Sequence, residues 1–440
     1  MSKFHPRILY LLASCLSAGQ LAAQPESAAA EAEKSADTAP YDVRTERLQG
    51  LTRADLAPLE PLLVKGPVGL IEFTDGDKEA LPGVNVAAIV HAPARDVMAL
   101  LEKPEAYPRY MGTLDKVEVV ERRGASVVYD WRWQMSLLTF AGRNSMTVYA
   151  APKERADAGY RATVDSQSGD FGKGRMSIRV LPRGERESLL VISMRMDLRE
   201  ANYVARQLAR AGRSINRTAN MSLTYSMVLS LRREAERRAG YAAAGADAPA
   251  VELYQPKLDF KAVAPLLARG DLVQLDMTGD RLNQIGVIGL IHKKRELVHE
   301  VMLDTDAFGS ALLPGSAATV VSKEGPVTTF DWDIDLPLVG VSGRMRMRDA
   351  DPLVAVDAVG GALAGGRWNF QTQALGKNAT LVTSWARFDV RNSTWFVRRL
   401  VDADPYFVHG VSAASEIMLT RALRSRANKR DQQGSLAATH

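Results

Sequence analysis

One cysteine, Cys15, occurs in 440 residues. That excludes an internal disulfide, and it excludes a thiol nucleophile or a cysteine metal site from the body of the chain. Histidine is scarce too: the six (His5, His91, His292, His299, His409, His440) are scattered, and no carboxylate pattern typical of a zinc site accompanies them. There is no GxSxG elbow or Ser-His-Asp order, and no P-loop or dinucleotide fingerprint. No metal and no cofactor are expected. Beyond the N-terminus no apolar run is long enough to cross a bilayer. Charge of neither sign dominates: the net charge is +5, which permits attraction to anionic surfaces without demanding it. The basic residues lack the clustered aromatics that stack on bases, so no nucleic-acid partner is expected. With 46% hydrophobic and 24% charged residues the chain is globular rather than disordered, and long enough for two domains.

What is present is a repeat. YDWRWQMSLLTFAGR (129–143) returns as FDWDIDLPLVGVSGR (330–344), with Trp131 and Trp332 201 residues apart (332−131) and Gly142 and Gly343 also 201 apart (343−142). Upstream, PLLVKG at 61–66 matches PLLARG at 265–270 at an offset of 204 (265−61). Downstream, Gly174-Arg175 matches Gly366-Arg367, and Asp197 matches Asp389, both at 192 (366−174, 389−197). The offset changes near the polar segment PKERADAG, where a loop can shorten. Each unit is too long for a solenoid repeat and is a domain in itself. Tyr129, Trp131, Trp133 and Met135 alternate with polar residues, so they share the buried face of a strand, and Asp130 points the other way.

Taken in order, the chain opens with a basic, then apolar, leader at 1–23, followed by an Ala/Glu/Ser/Pro-rich spacer at 24–45. Two cleavage readings compete. In one, LASC is a lipobox and Cys15 carries a lipid anchor. In the other, cleavage falls near Ala23 and Cys15 is lost. Either reading puts the mature protein outside the cytoplasm, periplasmic or secreted. Domain 1 is expected at 46–238, a linker at 239–254, domain 2 at 255–428 and a disordered tail at 429–440. In domain 1, strands at 68–73 and 84–92 precede a helix opened by Pro93 and broken by Pro104 and Pro108. Strands at 116–121, 127–140, 143–150, 160–166, 174–181 and 189–198 follow, with FAG (140–142) read as a turn. Six strands with short links imply an antiparallel meander. A long helix then carries Val204, Leu208, Ala211 and Ile215 on one face and Arg206, Arg210, Arg213 and Arg217 on nearly the opposite one. The second copy repeats the order, with its closing helix from 395 to 424 kinked or broken at Pro405.

Strand, two short helices, a meander and a closing helix is the order of the START-like superfamily. VNVAAIVHAPARDVMALLEKPEAYPRY (84–110) resembles the first-strand and helix segment of its polyketide cyclase and coenzyme Q-binding (SRPBCC, helix-grip) members. The resemblance covers 50–238, and 255–426 more weakly. It implies an α+β fold of two tandem helix-grip domains, each a curved antiparallel sheet wrapped around a long C-terminal helix, with an apolar cavity between them. On that reading Tyr129, Trp131, Trp133, Met135, Phe140, Val204, Leu208, Ile215, Phe330, Trp332 and Trp368 line cavities, against the plainer alternative of ordinary core. Arg206, Arg210, Arg213 and Arg217 would face an anionic membrane, against a merely solvated face. Asp130, Asp331, Arg143 and Arg344 read as structural ion pairs or solvated residues before they read as head-group anchors. Arg175 and Arg367 follow Gly-rich turns, where scaffold outweighs a phosphate cradle. The function expected is binding or transfer of a lipid, sterol or quinone-like molecule by a non-enzyme. A cyclase- or aromatase-like enzyme in the same cavity and an interaction module without ligand are the alternatives. Oligomeric state is left open.

Overall fold

The computed structural model describes residues 48, 50–73, 83–112, 114–135, 138–149, 159–197, 213–241, 252–310, 315–336, 339–392, 398, 402 and 404–437. The leader with Cys15, the spacer, Val204, Arg206, Leu208, Arg210 and Ala211 lie outside the described residues, as do the side chains of Met135, Arg213 and Ile215.

Two short helices, α1 (Arg53–Leu56) and α2 (Glu60–Leu63), come first. A reciprocal cap starts α1: the Thr52 side chain accepts from the Asp55 amide, and the Asp55 carboxylate accepts from the Thr52 amide. Strands β1 (Val68–Glu72) and β2 (Val84–Val90) lead to α3 (Ala94–Leu101), where Pro93 occupies the cap rather than the first helical turn. The meander is β3 (Leu114–Arg123), β4 (Ser126–Met135), β5 (Leu138–Tyr149), β6 (Tyr160–Gly169), β7 (Lys173–Pro182) and β8 (Ser188–Asp197), followed by α4 (Arg213–Arg238). The second copy runs α5 (Phe260–Arg269), β9 (Gly270–Thr278), β10 (Arg281–Ile291) and α6 (Arg295–Met302). It continues through β11 (Ser316–Glu324), β12 (Val327–Leu336), β13 (Val339–Ala350), β14 (Leu353–Gly361), β15 (Arg367–Ala374) and β16 (Thr380–Arg387) to α7 (Pro405–Ala437).

The expected pair of separate sheets is one antiparallel sheet of 16 strands, ordered β11-β12-β13-β14-β15-β16-β10-β9-β1-β2-β8-β7-β6-β5-β4-β3. The join is β1 against β9. There Gly69 faces Val273, and these are repeat-equivalent, 204 apart (273−69). On either side Val68 faces Gln274 and Leu70 faces Leu272, so an approximate two-fold axis passes through the Gly69–Val273 pair. The strands near this axis are buried on both faces, so β1 and β2 read as largely apolar runs, while β9 buries Asp271, Gln274 and Asp276 among its apolar residues. Val84, Val86, Ala88 and Val90 pack with α4 and α7 on one face. Ala87 and Ile89 pack with Leu59, Leu62 and Leu266 from α5 and the turns around α1 and α2 on the other. The two free edges, β3 and β11, each carry a bulge at the same repeat position, after Val119 and after Val320. Such bulges twist an edge away from pairing with another chain.

Three expectations need correction. FAG is not a turn. The hairpin closes between Met135 and Leu138, and Gly142 lies inside β5 opposite Trp131. The closing helix runs past its expected end. It begins at Pro405, where a missing N–H costs nothing, after a non-helical Asp404 that parts it from helical Arg398 and Asp402, so the expected break at Pro405 is present. From there α7 runs to Ala437 through most of the expected tail. Lys293 bonds Asp431 at 2.6 Å, and Arg430 bonds Glu300 and Asp304, holding that last stretch to the body. Finally, α4 is no surface helix. It packs on β2 and β8 with one side and on α7 with another, so Arg217 is half-buried and its Nε is shut off from water. A sequence pattern cannot show that a second long helix packs against this one. Part of the expected linker is docked as well: Tyr241 stacks on His91 at 4.1 Å, and the Tyr254 amide and carbonyl bond Gln284 at 3.1 and 2.8 Å.

Candidate functional site

The repeated motif resolves into two adjacent cross-strand pairs on β4–β5 and again on β12–β13. Asp130 faces Arg143 and Asp331 faces Arg344. Arg143 Nε donates to Asp130 at 2.6 Å and Arg344 Nε donates to Asp331 at 2.7 Å, on the exposed face. These are structural ion pairs, and each arginine holds its partner's carboxyl below the ordinary range. One residue along, Trp131 faces Gly142 and Trp332 faces Gly343. Each indole lies across its glycine: a Cβ on Gly142 would meet the Trp131 ring at 2.6 Å, and one on Gly343 would meet Trp332 Nε1 at 2.9 Å. Beneath them Gly169 and Gly361, both at positive φ, bring β6 and β14 against Gly142 and Gly343. Gly142→Val should therefore displace Trp131 and cost about 1–3 kcal/mol, read as a lower urea midpoint with shifted tryptophan emission. Unchanged stability and emission would contradict this packing.

With the indole so placed, Tyr129, Trp131 and Trp133 line a cavity of about 160 Å³ between the sheet and α4. Five methionines share the wall: Met111, Met176, Met194, Met196 and Met227. Met194 and Met196 sit two apart on β8, and Leu223 and Met227 sit one helical turn apart on α4, so each pair presents one face inward. Phe171, from the β6–β7 connection, stacks on Trp131 at 5.2 Å and on Phe140 at 4.8 Å. Phe140 belongs to this aromatic cluster but not to the wall. Phe407 of α7 approaches Trp133 at 5.7 Å, so the second copy helps close the first copy's site.

Few polar groups reach this cavity. Arg175 pairs with Asp165 at 2.5 Å across β6–β7, which makes it scaffold rather than a phosphate cradle. Arg367 stands at the equivalent place, 3.8 Å from Asp357. The Tyr107 hydroxyl donates to the Leu101 carbonyl at 2.7 Å, and burial pushes its phenol well up. Burial also raises Tyr129 to about 12, against the Asn144 contact that lowers it. Both phenols stay neutral near pH 7. Trp131 Nε1 is buried with no hydrogen-bond partner among the described residues.

A second cavity, of about 210 Å³, occupies the equivalent place in the second copy and is lined by Phe330, Trp332 and Trp368. Phe308 and Phe388 join them. Among the wall residues that sequence reasoning missed is Glu416 of α7, which is 1% exposed. Ser384 Oγ donates to its Oε2 at 3.0 Å, whereas Oε1 accepts no well-formed hydrogen bond from any described residue. Burial raises the carboxyl to about 7, and Ser384 and Trp368 only partly oppose that. A lone acid inside VSAASEIMLT, an otherwise apolar and small-residue helical stretch, was the available signal. The methionines were legible only as generic apolar residues.

Residues 90–221 match the family described as polyketide cyclase / dehydrase and lipid transport. The resemblance read from 84–110 is thereby shown for the first copy. No curated protein matches. Among solved structures, the di-domain aromatase/cyclase StfQ from the steffimycin biosynthetic pathway is 12% identical over 79% of this chain and 99% of its own, with a TM-score of 0.27. The Zhui aromatase/cyclase from Streptomyces sp. R1128 is 18% identical over 36% of this chain and 94% of its own, with a TM-score of 0.29. A STAR-related lipid transfer protein from Xanthomonas axonopodis is 12% identical over 39% and 94%, with a TM-score of 0.31.

Proposed function

We propose that this protein, whose residues 90–221 match the polyketide cyclase / dehydrase and lipid transport family, binds compact hydrophobic molecules in both copies. The leader reading of 1–23 adds that it does so in the cell envelope, anchored there if Cys15 is lipidated. The observation that carries the reading is the pair of apolar cavities at repeat-equivalent places, each bounded by the D-W…G-R strand pair and a long helix. Hollow interiors argue against an interaction module without ligand, which would be packed solid. Their size favours ring systems over long chains, because a cavity of about 150 Å³ accommodates benzene. A one- or two-ring system such as a quinone head group therefore fits with little adjustment, whereas a sterol or a diacyl lipid needs the walls to part. Burying roughly 200 Å² of ligand apolar surface would contribute about 5 kcal/mol. Flexible, polarizable methionine walls adapt to ligands of differing outline.

Entry by swinging α4 away would break cross-copy bonds, Ser226 to Asp404 at 2.8 Å and Arg233 to Tyr406 at 2.8 Å. The β6–β7 connection is the cheaper mover: it carries Phe171 between Gly169 and Gly172, both at positive φ. Leu223→Trp should fill the first cavity and weaken a naphthalene probe about 100-fold there, by titration of tryptophan fluorescence. Solvent extraction of the native protein should release a hydrophobic compound detectable by mass spectrometry. An empty extract, together with no probe binding by the unmodified protein, would sink the reading.

A second reading, a cyclase-like enzyme, is favoured by Glu416 alone. A carboxyl near neutrality in an aromatic cavity has the pKa that general acid–base chemistry needs.

A further inference from the structure

One difference between the two cavities lies on the closing helix. Glu416 corresponds to Thr224 (416−224 = 192, the offset of this part of the repeat), and the Thr224 hydroxyl is already satisfied by the Asn220 carbonyl at 2.6 Å. The first cavity has no carboxylate there. The second has one, and it is the only ionisable residue in the described wall. Apart from Ser384 and Ser415, its surroundings are aromatic and aliphatic: Phe388 stacks on Trp368 at 5.3 Å, and Phe330 and Phe308 lie 5.6 Å apart. A buried acceptor left open costs stability, and the fold retains it.

We propose that the second cavity is a selective site for an apolar ring molecule bearing one hydroxyl, with the hydroxyl donating to Glu416 Oε1; this rests on the reading of both cavities as ligand sites. An amine of the same shape is disfavoured by physics. It would put an ammonium and a carboxylate into an apolar chamber with no further charged partner, and removing both from water costs more than a neutral pair does. A hydroxyl adds its hydrogen bond without a charge. The first cavity, without an equivalent of Glu416, has no carboxylate acceptor, its polar wall residues including Asn144, Ser166, Arg175, Arg195 and Ser226. The chain thus carries two sites of different preference.

The test uses the full chain carrying Leu223→Trp, which closes the first cavity, with naphthol and naphthalene as probes. Naphthol is expected to bind about tenfold more tightly than naphthalene. Adding Glu416→Leu should abolish that preference while leaving naphthalene binding unchanged or improved. Equal binding of the two probes, or a preference that survives Glu416→Leu, overturns this inference and leaves the ligand-cavity reading standing. Binding of probes to the unmodified chain but not to Leu223→Trp overturns it too, because the second cavity is then no ligand site. No binding to the unmodified chain removes both. Should the leucine variant fail to fold, infrared difference spectra decide. Naphthol, and not naphthalene, should shift a carboxyl band that is missing in Glu416→Gln, and an unmoved band overturns the assignment.

Discussion

Asp271→Ala is expected to destabilise the protein by about 3–5 kcal/mol, the cost of removing one partner from a buried ion group. Asp271 lies in β9 at the join and is fully buried. Arg421 Nε donates to it at 3.0 Å, and Arg424 bonds both of its oxygens. The same arginines reach backbone carbonyls of both copies: Arg421 that of Ile71 at 3.2 Å, Arg424 that of Leu290 at 3.1 Å. The Phe73 ring lies under both guanidiniums, 4.8 Å from Arg424 and 5.8 Å from Arg421. Without the carboxylate two cations remain in a site where burial already lowers the pKa of Arg421, with Asp271 as the main opposing influence. The measurement is urea unfolding followed by tryptophan fluorescence. Desolvation makes the intact triad far from optimal, so Asp271→Leu with Arg421→Met and Arg424→Met should recover most of the loss. A cost below about 1 kcal/mol for Asp271→Ala would mean the group is solvated and weak.

That triad also shows where sequence reading stops. Its repeat-equivalents are Pro67, Leu229 and Arg232 (271−204, 421−192, 424−192), so it exists once and breaks the symmetry. The duplication itself was legible, because the D-W…G-R signature consists of cross-strand partners that must change together. The same signature misled on detail. Glycine in FAG suggests a turn, yet Gly142 is there to let the Trp131 indole lie flat and β6 come close. Fusion of the copies was half-legible. VGLIE is apolar at successive positions, as a strand covered on both faces must be, but nothing local in it names β9 as partner. The helix pair was not legible at all. Gly410 of α7 admits the Ser222 backbone of α4, a contact between residues 188 apart (410−222). Of the residues named from the sequence, Tyr129, Trp131, Trp133, Phe330, Trp332 and Trp368 sit on the cavity side of their strands, as period two fixes their face, while Phe140 does not reach the wall. The helix residues Leu223, Met227 and Glu416 were missed because α4 and α7 are buried on several sides, with polar residues such as Ser222, Thr224 and Ser412 among the buried ones, which blurs the side that faces a cavity.

Glu416 gives the largest expected dependence on pH. An unfolded glutamate titrates near 4.5, while the folded one titrates near 7, raised by burial. Below 4.5 both states hold the proton and the residue contributes no penalty. Between 4.5 and about 7 the unfolded state has released its proton and the folded state keeps it, so the folded state binds more protons and stability falls as pH rises. Above the folded value the loss is complete, at roughly 3 kcal/mol for a shift of this size. No charged neighbour contributes to the shift, since its causes are burial, Ser384 and Trp368, so salt should change it little. Glu416→Gln removes the titration and should flatten this part of the profile. The reading is the difference in unfolding free energy between wild type and Glu416→Gln, compared at about pH 5 and about pH 8, which cancels every other titrating group. Wild type should lose stability relative to the variant by roughly 2.5 kcal/mol across that interval. A bound hydroxyl ligand, by donating to Oε1, favours the ionised carboxyl and should narrow the difference. Parallel profiles for the two proteins would show that the carboxyl is solvated and ionised throughout, and the second cavity would lose its selective group.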